Sequence, residues 1–542
     1  MRRTERGNIF FHWLTGVLAA LLLLLVGRAQ TSSWAADKPQ YGGILTFAVG
    51  AELPTYDAHR ESTFSVIYPV SPHYSLLLKF DQDNYPNIIG DLAESWTISK
   101  DKRVYTFKIH KGVKFHDGSI LTARDVKASY DKIIFPPSGV ISTRKAFYSV
   151  VEKVEAPDDH TVVFYVKWPT ASFLASLAAP YNYIYKADIL AKDPRWYEKN
   201  IMGTGPFKFV EYVAGSHWVG KRNEDYFVKG RPYLDGYRSI IIKDTAARVA
   251  AVRSGRALVE FRRFSPGQRD DMVRALGDKI RVQETPLIAA LTVIFNCEKK
   301  PFDDPRVRRA LSLALDRWEG SKVLSRISNL RDVGGLLRPG SEFALSEAEL
   351  TQISGFSKNI DASRREARRL LREAGVPEGF SFDLDNRPPP KDYETIAIWL
   401  IDQWRQVGLN VRQRLQELGP HMNDLRAGNY KVAVNSISDF MDEPDLHFLR
   451  FLSPEKSPGG FGRFRDLIVD DLYAKQSQAM DPAERKKLCH LFQKRVMDEM
   501  AYAYPALWDT RIIPHWAKMK GWKALPSHYV NQDLADVWLD KD

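Results

Sequence analysis

The chain has 542 residues, 44% of them hydrophobic and 27% charged, with a net charge of +11. That length and balance exclude a disordered chain and leave room for two or more packed domains. Two cysteines exclude a disulfide-dense scaffold, and Lys and Arg spread without a long basic block exclude the usual footprint of a nucleic-acid binder.

The N-terminus reads as a targeting segment. Arg2, Arg3 and Arg6 precede an apolar run from Leu14 to Val26, which is shorter than the roughly 20 residues of a membrane span. Ser33 and Ala35 supply the small residues of a cleavage site, so residues 1–36 are expected to be a Sec-type signal peptide, with Ala36 or Asp37 opening the mature chain. An uncleaved anchor is the alternative. Thr4-Glu5-Arg6 lacks the apolar residues of a twin-arginine signal, and no cysteine near the cut offers a lipid anchor. The first 35 residues hold four Arg and one Glu, which leaves about +8 for the mature part, read as solvated surface.

In chain order, Tyr105, Phe107 and Ile109 alternate with polar residues and predict a half-buried strand. His116-Asp117-Gly118 marks a turn, and Thr122 with Asp125 three residues on predicts a capped helix burying Val126, Tyr130 and Ile133. Val162, Phe164, Val166 and Trp168 share one side of another strand. Asp304 and Pro305 open a helix striped by Val307, Ala310, Leu311, Ala314 and Leu315. Asp361 is expected to cap the next, with Ala367, Leu370, Leu371 and Ala374 inward and Gly375 and Pro377 ending it. A helix over 393–408 stops at Gly408 and feeds a strand over 409–415, a helix-to-strand order that suggests an α/β layer. Pro388–Pro390 is a short stiff loop. Trp96, Trp168 and Trp404 are expected in the core. Cys297 and Cys489 fit either a bridge or two separate buried thiols.

Signatures of chemistry are few. There is no G-x-S-x-G turn, P-loop or H-E-x-x-H, and the G-x-G of Gly203–Gly205 runs into Pro206 and aromatic residues rather than a phosphate-binding helix. His421 and His447 are metal-ligand candidates only as lone histidines, so no metal and no cofactor are expected. Asp439, Asp442, Glu443 and Asp445 are dense. Phe440, Met441 and Pro444 interrupt any calcium-loop spacing, and a glycosidase pair would need a second carboxylate that the sequence does not place.

Several blocks, in order, resemble the extracellular solute-binding protein family 5, which includes dipeptide-, oligopeptide- and nickel-binding proteins. They are YGGILTFAVGAELPTYDAH, DLAESWTISKDKRVYTFKIHKGVKFHDGSILTARDVKASYDKI, VEKVEAPDDHTVVFYVKWP, GTGPFKFVEYVAGSHWVGKRNEDYF, FNCEKKPFDDPRVRRALSLALDR, ARRLLREAGVPEGF and DVWLDK. The resemblance implies an α/β, two-lobe periplasmic binding protein fold, type II-like, with an extra subdomain in the first lobe and the ligand cleft between lobes. The first lobe would span 37–285, with the subdomain at about 60–200, and regain the chain at 508–542. The second would span 286–507, with the hinge at 285–296 and 504–507.

The family also implies function: a monomeric, periplasmic substrate-binding protein of an ABC importer. It would close on a di-/oligopeptide or similar zwitterion and deliver it to a membrane permease and its ATPase subunits without chemistry. In peptide-binding members an Asp shortly before Asp-Pro or Glu-Pro pairs with the ligand ammonium. Asp439 matches, although it lies one residue further from Pro444, and Ser436 stands where oligopeptide binders place Trp. A structural role for Asp439, as a helix or turn cap, stays open. Glu52, Pro54 and Tyr56 match a first-lobe ligand loop. Arg387 is a candidate partner for a carboxylate, and Phe440 and Arg463 are further cleft candidates. Rival readings are the same fold binding nickel chelate, haem, opine or a sugar conjugate, a sensory protein docking on a chemoreceptor, or a periplasmic hydrolase.

Overall fold

A computed structural model describes residues 38–388, 392–457 and 460–541; the expected leader and Pro389–Pro390 lie outside the described residues. Strand β1 (Ile44–Val49) buries Leu45, Phe47 and Val49. Next come β2 (Ala93–Ile98), β3 (Val104–Ile109), α1 (Ala123–Ile134), β4 (Val151–Asp158) and β5 (Thr161–Val166). Tyr105, Phe107 and Ile109 are buried as the alternation predicts, and Thr122 and Asp125 cap α1 reciprocally. One expectation fails here: Trp168 is 44% exposed. The strand ends at Val166 and the chain turns toward Pro169, so the alternation no longer applies.

β6 (Phe207–Val213) and β7 (His217–Arg222) form a hairpin followed by β8 (Gly236–Ile241) and β9 (Val259–Glu260). The long β10 (Ile280–Phe295) leads to α2 (Pro305–Leu313), capped by Asp304 as expected, and β11 (Leu330–Asp332). In α3 (Ile360–Glu373) the cap is Asn359, whose side chain accepts from Ala362 N at 3.1 Å. Asp361, expected as the cap, is already inside the first turn, where its charge meets the positive end of the helix. Then come β12 (Ser381–Asn386), α4 (Asp392–Arg405), β13 (Asn410–Leu415), β14 (Val432–Ser438), α5 (Pro444–Leu449), α6 (Leu467–Gln478), α7 (Pro482–Lys494) and β15 (Ala503–Trp516).

Among the described residues one sheet runs in the order β13-β12-β14-β10-β15-β9-β1-β8-β7-β6, with β11 paired to β15; β2-β3-β5-β4 form a second, antiparallel sheet. One core lies between Leu291 and Leu507 in sequence and holds Trp404. Another joins β1, β8 and β9 to Ile513–Val537, and the four-stranded sheet has its own. Each half of the large sheet and the small sheet thus packs against a core of its own, as a stable α/β layer requires. β10 and β15 run antiparallel through both halves, from Ile280 opposite Trp516 to Ile294 opposite Ala503. Their register breaks between Pro286 and Ala290 and again at Leu291–Thr292.

The G-x-G of Gly203–Gly205 is a packing device. A Cβ on Gly205 would lie 2.3 Å from Tyr74 N and one on Gly203 2.1 Å from His73 O, so only glycine lets this segment cross the 71–74 turn. Cys297 and Cys489 are free thiols, and burial raises their pKa values to about 11 and about 12.

Candidate functional site

A cavity of about 1020 Å³ opens between residues around the four-stranded sheet and residues of the core that runs from Leu291 to Leu507. One wall holds Ala146, Phe147, Ser149, Trp168, Thr170 and Ser172. The other holds Thr292 and Ile294 of β10, Asn435–Ile437 of β14, and Asp439, Met441, Glu443, Asp445 and Arg450 on and around α5. The exposure of Trp168 is explained here: its ring borders the cavity. Only Val432 and Ala433 of β14 pair with β12, so among the described residues the rest of that edge carries no strand beside Asn435–Ile437.

The two walls touch around this space. Ser172 Oγ donates to Asp445 Oδ2 at 2.5 Å, Ala171 N to Ser477 O at 2.8 Å, and Asp442 N to Tyr85 Oη at 3.1 Å. Phe440 sets its ring edge-on to Phe147 at 5.6 Å, and its carbonyl accepts from Ser527 Oγ at 2.6 Å. Met441 and Leu446 are buried in the subdomain's core.

The dense carboxylates of 439–445 each have a cation. Arg450 Nη2 donates to both Asp439 oxygens, at 2.9 and 2.7 Å. Arg338 grips Asp442 through Nε at 3.0 and 2.8 Å and Nη2 at 2.7 Å. Arg485 bonds Glu443 and lies 3.6 Å from Asp445, which also accepts from Gln476 and Ser477. Burial pushes the Glu443 carboxyl above its ordinary range although Arg485 pulls it down. Burial also works against the Arg485 charge, but Glu443 and Asp445 outweigh it and hold that guanidinium protonated. His447 Nδ1 stands 3.1 Å from Asp439 Oδ2; burial lowers its pKa, against the pull of Asp439, so the ring is neutral. This pairing leaves the cluster as structural ion pairs rather than a calcium loop. Glu443, not Asp439, caps α5.

The structure separates the other candidates. Glu52 accepts from Tyr212 Oη at 2.5 Å, and Tyr56 packs edge-on against Trp218 at 4.9 Å; with the exposed Pro54 they sit on the first lobe beside the β6–β7 hairpin, outside the cavity. Arg387 follows β12 and lies 4.0 Å over the Tyr393 ring. Arg463 binds Glu298 at 3.1 Å, and only its neighbours Gly462 and Phe464 line the cavity. His421 is buried on the helix Leu418–Ala427. Among the described residues no cluster of His, Cys, Asp and Glu is arranged to hold a metal ion.

Sequence reasoning missed Arg450, Phe147, Ser172 and Thr292. Arg450 did leave a signal: it is the one charge in His447–Leu452, an otherwise apolar run apart from the histidine. A lone arginine so placed needs a buried acceptor. The contacts from the subdomain left none.

The comparisons agree with this architecture. A glutathione-binding protein GsiB of Pectobacterium atrosepticum is 28% identical over 524 residues, covering 95% of this chain and 98% of its own. The oligopeptide-binding protein AppA of Bacillus subtilis is 26% identical, covering 90% and 91%. The substrate-binding protein CtaP of Listeria monocytogenes superposes with a TM-score of 0.81 at 23% identity, over 92% of this chain and all of that one. DppA of Helicobacter pylori, solved with the peptide STSA, gives 0.74 at 24% identity, over 93% and 99%. These likenesses establish the two-lobe α/β fold. The model of the bacterial extracellular solute-binding proteins, family 5, matches residues 87–459, and the chain belongs to that family.

Proposed function

We propose that this chain is the periplasmic substrate-binding component of an ABC importer and takes a peptide-like solute. The observation that carries the reading is the unpaired edge of β14 along the cavity: backbone groups at Asn435–Ile437 are placed for an extended ligand to add as a strand. The cavity's volume suits a short peptide. The glutathione- and oligopeptide-binding relatives support the same class. Ser172, Ala171, Phe147 and Phe440 would hold the closed form that a permease and its ATPase subunits distinguish from the open one.

Lobe boundaries at 285/286 and 507/508 belong to this proposal, supported by the register breaks in β10 and by a core that starts at Leu291 and ends at Leu507. So do the leader over residues 1–36, a monomeric state, and release of the ligand unchanged. Among the described residues no helix is long and apolar enough to cross a membrane.

Thermal-shift titration tests the class. Di- to pentapeptides, glutathione, an opine, a nickel chelate and haem are compared on the purified protein. A ligand that binds only the folded state adds about 2.7 kcal/mol at a hundredfold excess over Kd. A shift with peptides or glutathione is expected; a shift with only the nickel chelate or haem would discard the peptide-like class.

A further inference from the structure

Asp439 is the residue at which the family resemblance places a ligand ammonium, yet here its carboxylate already has a cation. Arg450 Nη2 bonds both oxygens, and Asp439 retains only 13% side-chain exposure. The neutral His447 ring closes the other side at 3.1 Å. An ammonium entering at Asp439 would stand beside the Arg450 guanidinium, and the two like charges would repel.

Arg450 has the opposite situation. Both of its bonds to Asp439 leave from Nη2, while Nε is buried without any hydrogen-bond partner. An unsatisfied buried donor on a cation is costly until an acceptor arrives. Arg450 borders the cavity, as does Thr292, whose Oγ1 is likewise buried and unpartnered. The other acids on this wall already have partners: Glu443 has Arg485, Asp445 has Ser172 and Ser477, and Asp470 has Lys456 at 3.3 Å.

We propose that Arg450 converts this end of the site from a cation-capturing into an anion-capturing one, so that the ligand presents a carboxylate there instead of a free α-ammonium. The proposal rests on the peptide-like reading and narrows it to N-blocked, acidic members of that class, such as N-acyl peptides whose acyl group ends in a carboxylate. Asp439 then orients the arginine, and Arg450, with a charge-assisted hydrogen bond, selects the ligand.

The test is calorimetric titration of the purified protein with alanine peptides of two to five residues, each with its amino end free or N-succinylated. Succinylation replaces the ammonium by a carboxylate on an otherwise identical ligand. At least tenfold tighter binding of the succinylated member is expected at the length that fits, and Arg450→Ala should abolish that preference. Arg450→Lys, which keeps a cation at the position, serves if the alanine variant does not fold, and should retain a weakened preference. Equal or tighter binding of the free peptides would overturn the proposal and leave the peptide reading standing. A succinyl preference undiminished in Arg450→Ala would overturn it too. Binding of neither set would overturn both.

Discussion

At the residue scale, the buried Asp442–Arg338 pair carries more structural weight than most of the surface ion pairs. Its side chains are 4% and 9% exposed. Arg338→Ala would strand a carboxylate, and breaking such a pair costs about 3–5 kcal/mol; urea denaturation followed by fluorescence should show a loss of that size. His73 gives a pH dependence. Its Nδ1 bonds Phe207 O at 2.7 Å and its Nε2 accepts from Trp218 at 2.9 Å, and burial lowers its pKa from 6.5 to about 3. Between those values the unfolded chain binds the extra proton, so stability rises with pH, complete above about 6.5 and lost toward 3. His73→Asn should remove up to about 1.4 kcal/mol per pH unit from that slope, read from denaturation midpoints between pH 4 and 6. The sequence marked Asp439 and the acidic run, because those residues are local in the chain. Their partners Arg338, Arg485 and Ser172 come from distant segments, and no spacing rule connects them.

Elements were the most legible level, since caps and alternation act over a few residues. Thr122 with Asp125 and Asp304 with Pro305 start their helices as predicted. Where two capping residues compete, as Asn359 and Asp361 do, the choice depends on the direction from which the chain enters, which composition does not encode. The Gly203–Gly205 motif shows the same limit: its glycines serve a close backbone crossing visible only in three dimensions. Gly205→Ala should therefore destabilise by about 1–3 kcal/mol through overpacking, seen as a lowered melting temperature.

For the whole molecule, the order of strands in the large sheet was beyond local pattern, because β10 and β15 pair although the whole segment 296–502 lies between them in sequence. The two-lobe expectation came from the family resemblance instead, with composition silent about any boundary. Contacts across the cavity predict how the molecule moves. Ser172→Ala removes the 2.5 Å bond to Asp445. With hydrogen bonds to charged groups contributing about 1.5–3 kcal/mol, ligand affinity should fall about tenfold or more, and small-angle scattering should report a larger radius of gyration. The proposed leader over residues 1–36 predicts that N-terminal sequencing of the mature protein starts at Ala36 or Asp37.

The placement of β15 has a consequence for synthesis. It lies in the middle of the large sheet, between β10 and β9, yet comes last of that sheet's strands. Val259 cannot meet its neighbour His515 until almost the whole polypeptide exists. A nascent chain therefore lacks the strand that joins its two halves, and such long-range closure is slow. On the export route proposed above, this strand order would postpone native structure until translation is nearly finished and so keep the chain extended for passage through a secretory channel.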